Sequence, residues 1–125
     1  MSDNKRSFLL VSLGLALGWG MANAQFSALD PVRVAPHIFE NILENDRVRV
    51  LKATERNGET APLHSLASGV TVYLSPCAWM ENGADDETRM QSFRLGDVVW
   101  RSRITRGGET SRVVQDCSRL EIELK

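Results

Sequence analysis

Alternating apolar and polar residues predict that β-strands make up most of the chain after residues 1–24. Near the C-terminal end, Leu120, Ile122 and Leu124 alternate with charged residues, which is the period-2 pattern of a half-buried strand. Residues 70–74 are close to uniformly apolar and rich in β-branched side chains, and they predict a central, buried strand. Residues 98–100 predict a further short strand.

Turn residues separate these segments. Residues 38–43 and 47–54 predict a β-hairpin, because Asn45 and Asp46 between them suit a tight turn. A helix over residues 36–43 competes with the first strand, since its apolar residues also repeat at helical spacing. Several short strands with turn signals between them indicate an all-β sandwich or barrel.

The first 24 residues have the pattern of a cleavable export signal. Lys5 and Arg6 precede an uncharged, apolar stretch over residues 8–19, and small residues lead up to an expected cleavage after Ala24. A retained membrane anchor is the alternative, but the stretch is shorter than the roughly 20 residues that span a bilayer. We therefore expect one mature domain over residues 25–125, periplasmic or secreted, without a membrane partner.

Charge and cysteine content narrow the class of protein. The 125 residues carry 15 Lys plus Arg against 16 Asp plus Glu, a formal net charge of -1, which argues against a nucleic-acid-binding protein. Cys77 and Cys117 are far apart in sequence, and in an exported protein such a pair is typical of a structural disulfide. A redox-active or metal-binding pair is the alternative, and it lacks support from a Cys-x-x-Cys spacing.

The order of several segments resembles the small single-domain cupins. Residues 44–50, then Gly58 followed after five residues by His64, then residues 70–74, 95–100 and 121–125 carry the resemblance, which spans the predicted mature chain. It implies a jelly-roll β-barrel with a pocket between its sheets. Because cupins include oxygenases, isomerases, binding proteins and storage proteins, the resemblance does not select a function.

The resemblance also indicates that a metal site has been lost. Cupins usually hold a divalent metal with two histidines and a carboxylate from a first motif and one histidine from a second. Gly58 and His64 match the first motif, but Leu66 takes the second histidine position and residues 70–71 the carboxylate position. Arg106, or its neighbour, takes the histidine position of the second motif, where a guanidinium would repel a divalent cation. We therefore expect no metal cofactor.

Four residues are candidates for the wall of the implied pocket: His64, Arg101, Arg103 and Arg106. If residues 100–106 continue as one strand, Arg101 and Arg103 share a face, and arginine forks can grip a carboxylate or phosphate. The alternatives are a solvated arginine face and a histidine that only makes a structural hydrogen bond. The expected partner is a small anionic or polar ligand.

The jelly-roll layout implied by the resemblance also places the cysteines. It makes the strand over residues 70–74 an antiparallel neighbour of the final strand, so that Cys77, ending the first, and Cys117, opening the second, come within bridging reach. Edge strands and an apolar sheet face are compatible with a homodimer, which the sequence leaves open.

These expectations combine into one functional hypothesis with one alternative. We expect an exported protein that binds a small ligand or has a structural role without catalysing a reaction. The alternative is a metal-dependent cupin enzyme of the oxygenase or isomerase type, in which a divalent transition metal is held by unconventional ligands that include His64. In a further variant of this alternative, His37 contributes as a ligand from the N-terminal segment.

Overall fold

The computed structural model describes residues 28–125, so the predicted export signal lies outside the described residues. This part of the chain contains a four-residue helix, Pro31–Val34 (α1), and a single 3-10 turn at Gly108–Thr110. Its strands are Phe39–Glu44 (β1), Val48–Glu55 (β2), His64–Leu66 (β3), Gly69–Tyr73 (β4), Cys77–Asn82 (β5), Thr88–Phe93 (β6), Val98–Arg101 (β7), Ile104–Arg106 (β8), Ser111–Val113 (β9) and Cys117–Leu124 (β10).

The strands form antiparallel sheets, as the all-β prediction requires. The largest sheet has five strands in the order β1-β2-β10-β4-β7. A three-stranded sheet, β6-β5-β9, and a two-stranded sheet, β3-β8, complete the fold. The helices in residues 28–125 are too short and too polar to cross a membrane.

The predicted first hairpin is confirmed. β1 pairs with β2, and the side chain of Asn45 between them accepts hydrogen bonds from the backbone N–H groups of Arg47 and Val48, at 2.8 and 2.9 Å. The helix over residues 36–43 is therefore wrong, because Phe39 is buried against β2 in strand geometry. A short helix occurs earlier, at Pro31–Val34, where the Asp30 side chain caps the N–H of Val32.

Strand β4 is central, as predicted for residues 70–74, but only one of its faces is buried. It lies between β10 and β7, and its buried side chains are Thr71 and Tyr73, whereas Val70 and Val72 are half-buried on the opposite face. The prediction of a central strand is confirmed, and its burial alternates because no described element covers its second face. The polar Thr71 therefore points inward while valines point outward.

Strand β10 alternates as predicted, but the face turned inward is the charged one. Arg119, Glu121 and Glu123 are buried, whereas Leu120 and Ile122 are half-buried on the outer face. This arrangement reverses the usual orientation of a half-buried strand, in which apolar side chains face the core. It places three ionised groups in the interior, where each needs a partner of opposite charge.

A disulfide joins Cys77 to Cys117, as predicted, with their Cα atoms 4.9 Å apart. The strand assignment of Cys77 was wrong, since this residue opens β5 instead of ending β4. β4 and β10 are nevertheless antiparallel neighbours, as the jelly-roll layout implied, and Tyr73 lies opposite Arg119. The disulfide packs with Tyr73 and Val113 in one apolar cluster, and Phe39, Leu51 and their neighbours form a second one.

Candidate functional site

A cavity of about 340 Å³ lies between the five-stranded sheet and the two smaller sheets. Its size falls within the usual range of small-molecule sites. One wall is aromatic, with Tyr73 stacked on Phe93 at 4.3 Å between ring centres and Trp79 edge-on to both rings. Charged side chains from β2, β7, β8 and β10 also line the cavity.

These side chains belong to an interior charge network of five residues, of which all but Glu121 line the cavity: Glu55, Arg101, Arg106, Arg119 and Glu121. Glu121 is its centre, because this fully buried carboxylate accepts hydrogen bonds from three arginines and from Thr71. The arginine nitrogens lie between 2.8 and 3.2 Å from its oxygens, and the Thr71 hydroxyl lies at 2.6 Å. With three guanidinium groups against two carboxylates, the network has one excess positive charge.

Arg119 holds the two carboxylates of the network together. Its Nη1 donates to Glu55 at 2.6 Å, its Nε donates to Glu121 at 2.8 Å, and its guanidinium lies 5.1 Å from the centre of the Trp79 ring. Trp79 completes this arrangement by donating its indole N–H to Glu55 at 3.3 Å. Burial would lower the pKa of Arg119, but attraction to Glu55 and Glu121 outweighs it and raises the pKa.

Glu121 remains ionised inside the protein. Burial by itself would raise the pKa of its carboxyl group, but the positive charges of Arg119 and Arg106 and the hydrogen bond from Thr71 together lower the pKa to about 2. The pair of Glu121 and Arg119 is therefore charged at neutral pH. Its stability depends on every member keeping its partners.

His64 is buried in the cavity wall on β3, directly opposite Arg106 on β8. Its Nδ1 lies 2.8 Å from the carbonyl oxygen of Pro62, and because a carbonyl only accepts, Nδ1 carries the proton and donates. The imidazole also packs against the Phe39 ring, with centres 4.8 Å apart. Gly107 permits this position, since a Cβ there would lie 3.1 Å from Nδ1 and 2.6 Å from the Pro62 oxygen.

The second ring nitrogen of His64 is a buried acceptor. Burial lowers the pKa of His64, and repulsion from Arg106 and Arg119 lowers it further against the opposing bond to the Pro62 carbonyl. The ring is therefore neutral at pH 7, with a lone pair on Nε2. This atom is buried and has no hydrogen-bond partner in the described part of the chain.

Stability is expected to fall as the pH drops below 6.5, and His64 accounts for part of this fall. Its folded-state pKa lies below the ordinary value of 6.5, so the neutral ring stabilises the fold fully above pH 6.5. That contribution is lost as the pH falls from 6.5 through the folded-state pKa. Urea unfolding at about pH 7.5 and about pH 5.5 measures the change in the free energy of unfolding.

The matched variants for this measurement are His64→Gln and His37→Gln. The first should reduce the pH dependence, and the second should retain it, because His37 is exposed and lies outside the cavity wall. Equal pH dependence in the wild type and in His64→Gln would contradict the prediction. His37 lies near Glu59, with 3.7 Å between Nε2 and Oε1, instead of joining His64.

Arg101 is the second predicted residue with an unsatisfied polar atom. Its Nε donates to Glu121 and its Nη1 to the carbonyl of Ala67, but Nη2 is buried without a hydrogen-bond partner among residues 28–125. The side chain is 7% exposed and lines the cavity. The structure therefore gives the cavity wall one buried donor, on Arg101, and one buried acceptor, on His64.

Arg103 and Arg106 occupy different positions from those the sequence suggested. Residues 100–106 do not continue as one strand, because β7 ends at Arg101 and β8 begins at Ile104. The shared strand face proposed for Arg101 and Arg103 is therefore wrong. Arg103 lies exposed at the cavity rim, with its backbone N–H bonded to Ser68, whereas Arg106 reaches inward to Glu121.

The donor set in the cavity does not fit a divalent metal. His64 presents one free imidazole nitrogen, but Arg106 lies opposite it, and the two nearby carboxylates are occupied by arginines. Within residues 28–125, no three His, Cys, Asp or Glu side chains are grouped closely enough to hold a metal ion. A metal here would have to displace guanidinium groups from Glu55 or Glu121, which costs their buried ion pairs.

Sequence reasoning missed three members of the network: Glu55, Arg119 and Glu121. The alternation of β10 placed Arg119 and Glu121 on one face but did not indicate that this face is the inner one. A signal was present in the sequence, because β4 has apolar residues on both of its faces. The apolar face of the neighbouring β10 can therefore lie on either side of the sheet.

Comparison with solved structures identifies the fold. A cupin domain from Bordetella pertussis is similar, with a TM-score of 0.55 and 18% identity over 70% of this chain and 92% of that domain. A cupin superfamily protein from Desulfitobacterium hafniense has a TM-score of 0.50 and 15% identity over 70% of this chain and 75% of its own. No family model and no curated protein matches the sequence. At these identities the comparisons show the fold alone, and the chain is a small all-β domain with the cupin fold.

Proposed function

We propose that this protein binds a small hydroxycarboxylate in the cavity, without a metal and without catalysing a reaction. The observation that carries the proposal is that two cavity-lining residues each have a buried, unpartnered polar atom, Arg101 Nη2 and His64 Nε2. A buried polar group without a partner costs about 1–3 kcal/mol, so a ligand that satisfies both atoms recovers that cost.

The two atoms call for complementary groups on one ligand. Arg101 Nη2 is a charged donor and suits a carboxylate oxygen, which forms a charge-assisted hydrogen bond. His64 Nε2 is an acceptor and needs a donor, which a hydroxyl group next to the carboxylate supplies. The guanidinium of Arg101 favours an anionic group over a neutral one at its own position.

The aromatic wall extends the description of the ligand. Tyr73, Trp79 and Phe93 offer ring faces and edges to the cavity. An apolar or ring-bearing body packs against such a wall and leaves its polar groups for Arg101 and His64. We therefore choose mandelate as the probe, because it combines a phenyl ring, a hydroxyl group and a carboxylate.

Isothermal titration calorimetry with three matched probes tests the proposal. Phenylacetate lacks only the hydroxyl group and should bind about 10-fold more weakly than mandelate, which corresponds to one neutral hydrogen bond. Mandelamide lacks the negative charge and should bind at least about 10-fold more weakly. Absence of binding for all three probes would contradict the proposed function.

Two variants assign the contacts to their residues. His64→Phe keeps a ring against Phe39 but removes the acceptor, so it should abolish the preference for mandelate over phenylacetate. Arg101→Met should weaken the binding of both carboxylates. Arg112→Met removes the same charge from an exposed residue of β9 that does not line the cavity, and it should leave all affinities unchanged.

The proposal includes the absence of a resident metal. It rests on the donor set, in which arginines occupy the carboxylates that a divalent ion would need. Elemental analysis of the dialysed protein tests it. A stoichiometric amount of Fe, Mn, Ni or Zn that disappears in His64→Ala would support the metal-dependent enzyme instead.

We propose further that the protein is exported to an oxidising compartment. The signal pattern over residues 1–24 and the Cys77–Cys117 disulfide support this location, because structural disulfides persist in such compartments. Cell fractionation combined with mass determination should find the protein outside the cytoplasm and cleaved after Ala24. An uncleaved chain in the cytoplasm would contradict export.

A further inference from the structure

Two short backbone segments meet at the end of the β3-β8 sheet, next to His64. Residues 61–62 precede β3 and residues 107–108 follow β8, and the N–H of Gly108 donates to the carbonyl oxygen of Ala61 at 2.7 Å. We call this close approach the end contact. It lies beside His64 because this first residue of β3 pairs with the last residue of β8.

The end contact leaves no room for a side chain at residue 107. A Cβ on Gly107 would lie 2.6 Å from the carbonyl oxygen of Pro62 and 2.8 Å from that of Ala61. Both distances are shorter than Cβ atoms in proteins tolerate, and both oxygens belong to the backbone. The φ angle of Gly107 is +97°, which glycine adopts without strain. An alanine at this position would therefore have to displace the Pro62 carbonyl.

The Pro62 carbonyl determines which nitrogen of the His64 ring carries the proton. Its oxygen lies 2.8 Å from Nδ1 and can only accept, so the proton of the neutral ring stays on Nδ1 and the lone pair on Nε2. The ring is 2% exposed and packs against Phe39, so its neighbours also hold its orientation. The buried Nε2, which has no partner among residues 28–125, is therefore kept as an acceptor.

We propose that Gly107 is a positioning residue and that, through the tautomer of His64, it makes the cavity prefer 2-hydroxy acids over 2-oxo acids. The preference rests on the proposed function, because it concerns the ligand of the same cavity. A 2-hydroxy acid can donate its hydroxyl hydrogen to Nε2, whereas the 2-oxo acid offers a carbonyl oxygen, which only accepts. The 2-oxo acid would leave Nε2 without a donor. The cavity should therefore distinguish two oxidation levels of one carbon skeleton.

The nitrogen chemical shifts of the His64 ring, measured by NMR without ligand, test the role of Gly107. The chain has two histidines, so the His37→Gln protein retains His64 as its only imidazole. We expect a protonated Nδ1 and an unprotonated Nε2 in this protein at neutral pH. Adding Gly107→Ala should shift the proton toward Nε2, because the displaced carbonyl no longer holds it on Nδ1. A proton on Nε2 while Gly107 is present would overturn the inference.

Gly108→Ala is the matched control for Gly107→Ala. Gly108 also has a positive φ angle, +74°, so alanine causes backbone strain of the same kind. Its Cβ, however, would meet no atom within 4 Å beyond its chain neighbours. Gly108→Ala should therefore keep the proton on Nδ1. An equal change of the His64 shifts in both variants would contradict a specific role for Gly107.

Isothermal titration calorimetry with mandelate and phenylglyoxylate, its 2-oxo counterpart, tests the ligand preference. The wild type should bind mandelate at least about 10-fold more tightly, and Gly108→Ala should keep this preference. Gly107→Ala should bring the two affinities to within about 3-fold of each other. Far-UV circular dichroism verifies folding of each variant. If Gly107→Ala does not fold, the tautomer and the ligand preference measured with Gly107 in place still decide the inference.

The outcomes separate this inference from the proposed function. If phenylglyoxylate binds the wild type as tightly as mandelate, the inference is overturned, but a small carboxylate still binds in the cavity. If neither ligand binds, the proposed function fails and the ligand preference fails with it. In that case the ring nitrogens still show whether Gly107 sets the tautomer of His64.

Discussion

Replacing Glu121 by glutamine is expected to lower the free energy of unfolding by about 3–5 kcal/mol, the range for breaking a buried ion pair by removing one partner. The carboxylate is fully buried and accepts hydrogen bonds from Arg101, Arg106, Arg119 and Thr71. Glutamine keeps the shape but removes the carboxylate that pairs with Arg101 and Arg106, and it leaves Arg119 with Glu55. Because domains of this size are stable by about 5–15 kcal/mol, urea unfolding should detect the loss easily.

Two further variants distinguish the effect of the buried network on stability from the effect of an exposed ion pair. Glu44→Gln removes an ion pair with Lys125 in which both side chains are well exposed, and it should leave stability nearly unchanged. The double substitution Glu121→Leu with Arg119→Met should lower stability at least as much as Glu121→Gln, because it removes the partners of opposite charge from Arg101, Arg106 and Glu55. A Glu121→Gln variant as stable as Glu44→Gln would contradict a structural role for the network.

The lowered pKa of Glu121 also predicts how the stability of the protein changes in acid. The pKa of Glu121 falls from 4.5 to about 2 on folding. Its contribution to the free energy of unfolding is therefore fully present above pH 4.5 and is lost as the pH falls from 4.5 to about 2. The wild type should therefore lose stability steeply in this window. Glu121→Gln should show a shallower acid dependence, which a pH series of unfolding curves measures.

Removal of the Cys77–Cys117 disulfide is expected to cost about 3–4 kcal/mol in the chain-entropy model, since the crosslink joins residues 40 apart. The variant Cys77→Ala with Cys117→Ala tests this by urea unfolding. Cys117 also contacts the charge network, because Arg119 Nη1 lies 3.7 Å from its sulfur. Replacing Cys117 should therefore also remove one contact of the Arg119 side chain.

Chemical reduction of the wild type provides the matched control for the double variant. The reduced wild type and the variant should have similar stabilities, both below that of the oxidised wild type. Thiol titration of the unreduced, denatured protein should find no free thiol groups. Two free thiols, or a double variant as stable as the oxidised wild type, would contradict the disulfide as a source of stability.

Local chain features were predicted well from the sequence because their causes are local. Asn45 closes the first hairpin with its own side chain, and the alternation along β10 follows directly from strand geometry. The two cysteines had only each other as partners within the chain. The order of motif-like segments was enough to predict the cupin fold, although the metal ligands are missing from it.

The candidate site was only partly predictable. His64, Arg101 and Arg106 were singled out, and all three line the cavity. Glu121, the actual partner of Arg101 and Arg106, was overlooked because it shares the charged face of its strand. Arg103 was given equal weight, yet the break between β7 and β8 leaves it at the rim.

The sequence by itself determined the alternation of faces, the turns and the fold, because these depend on spacing and on local hydrogen bonds. Only the tertiary structure decided which face of β10 is inside. A strand pattern is symmetric between its two faces, so the choice depends on what the neighbouring strands present. Here Thr71 and Arg101 on adjacent elements provide partners for Glu121, so the charged face turns inward and leaves the apolar face of Ile122 outside.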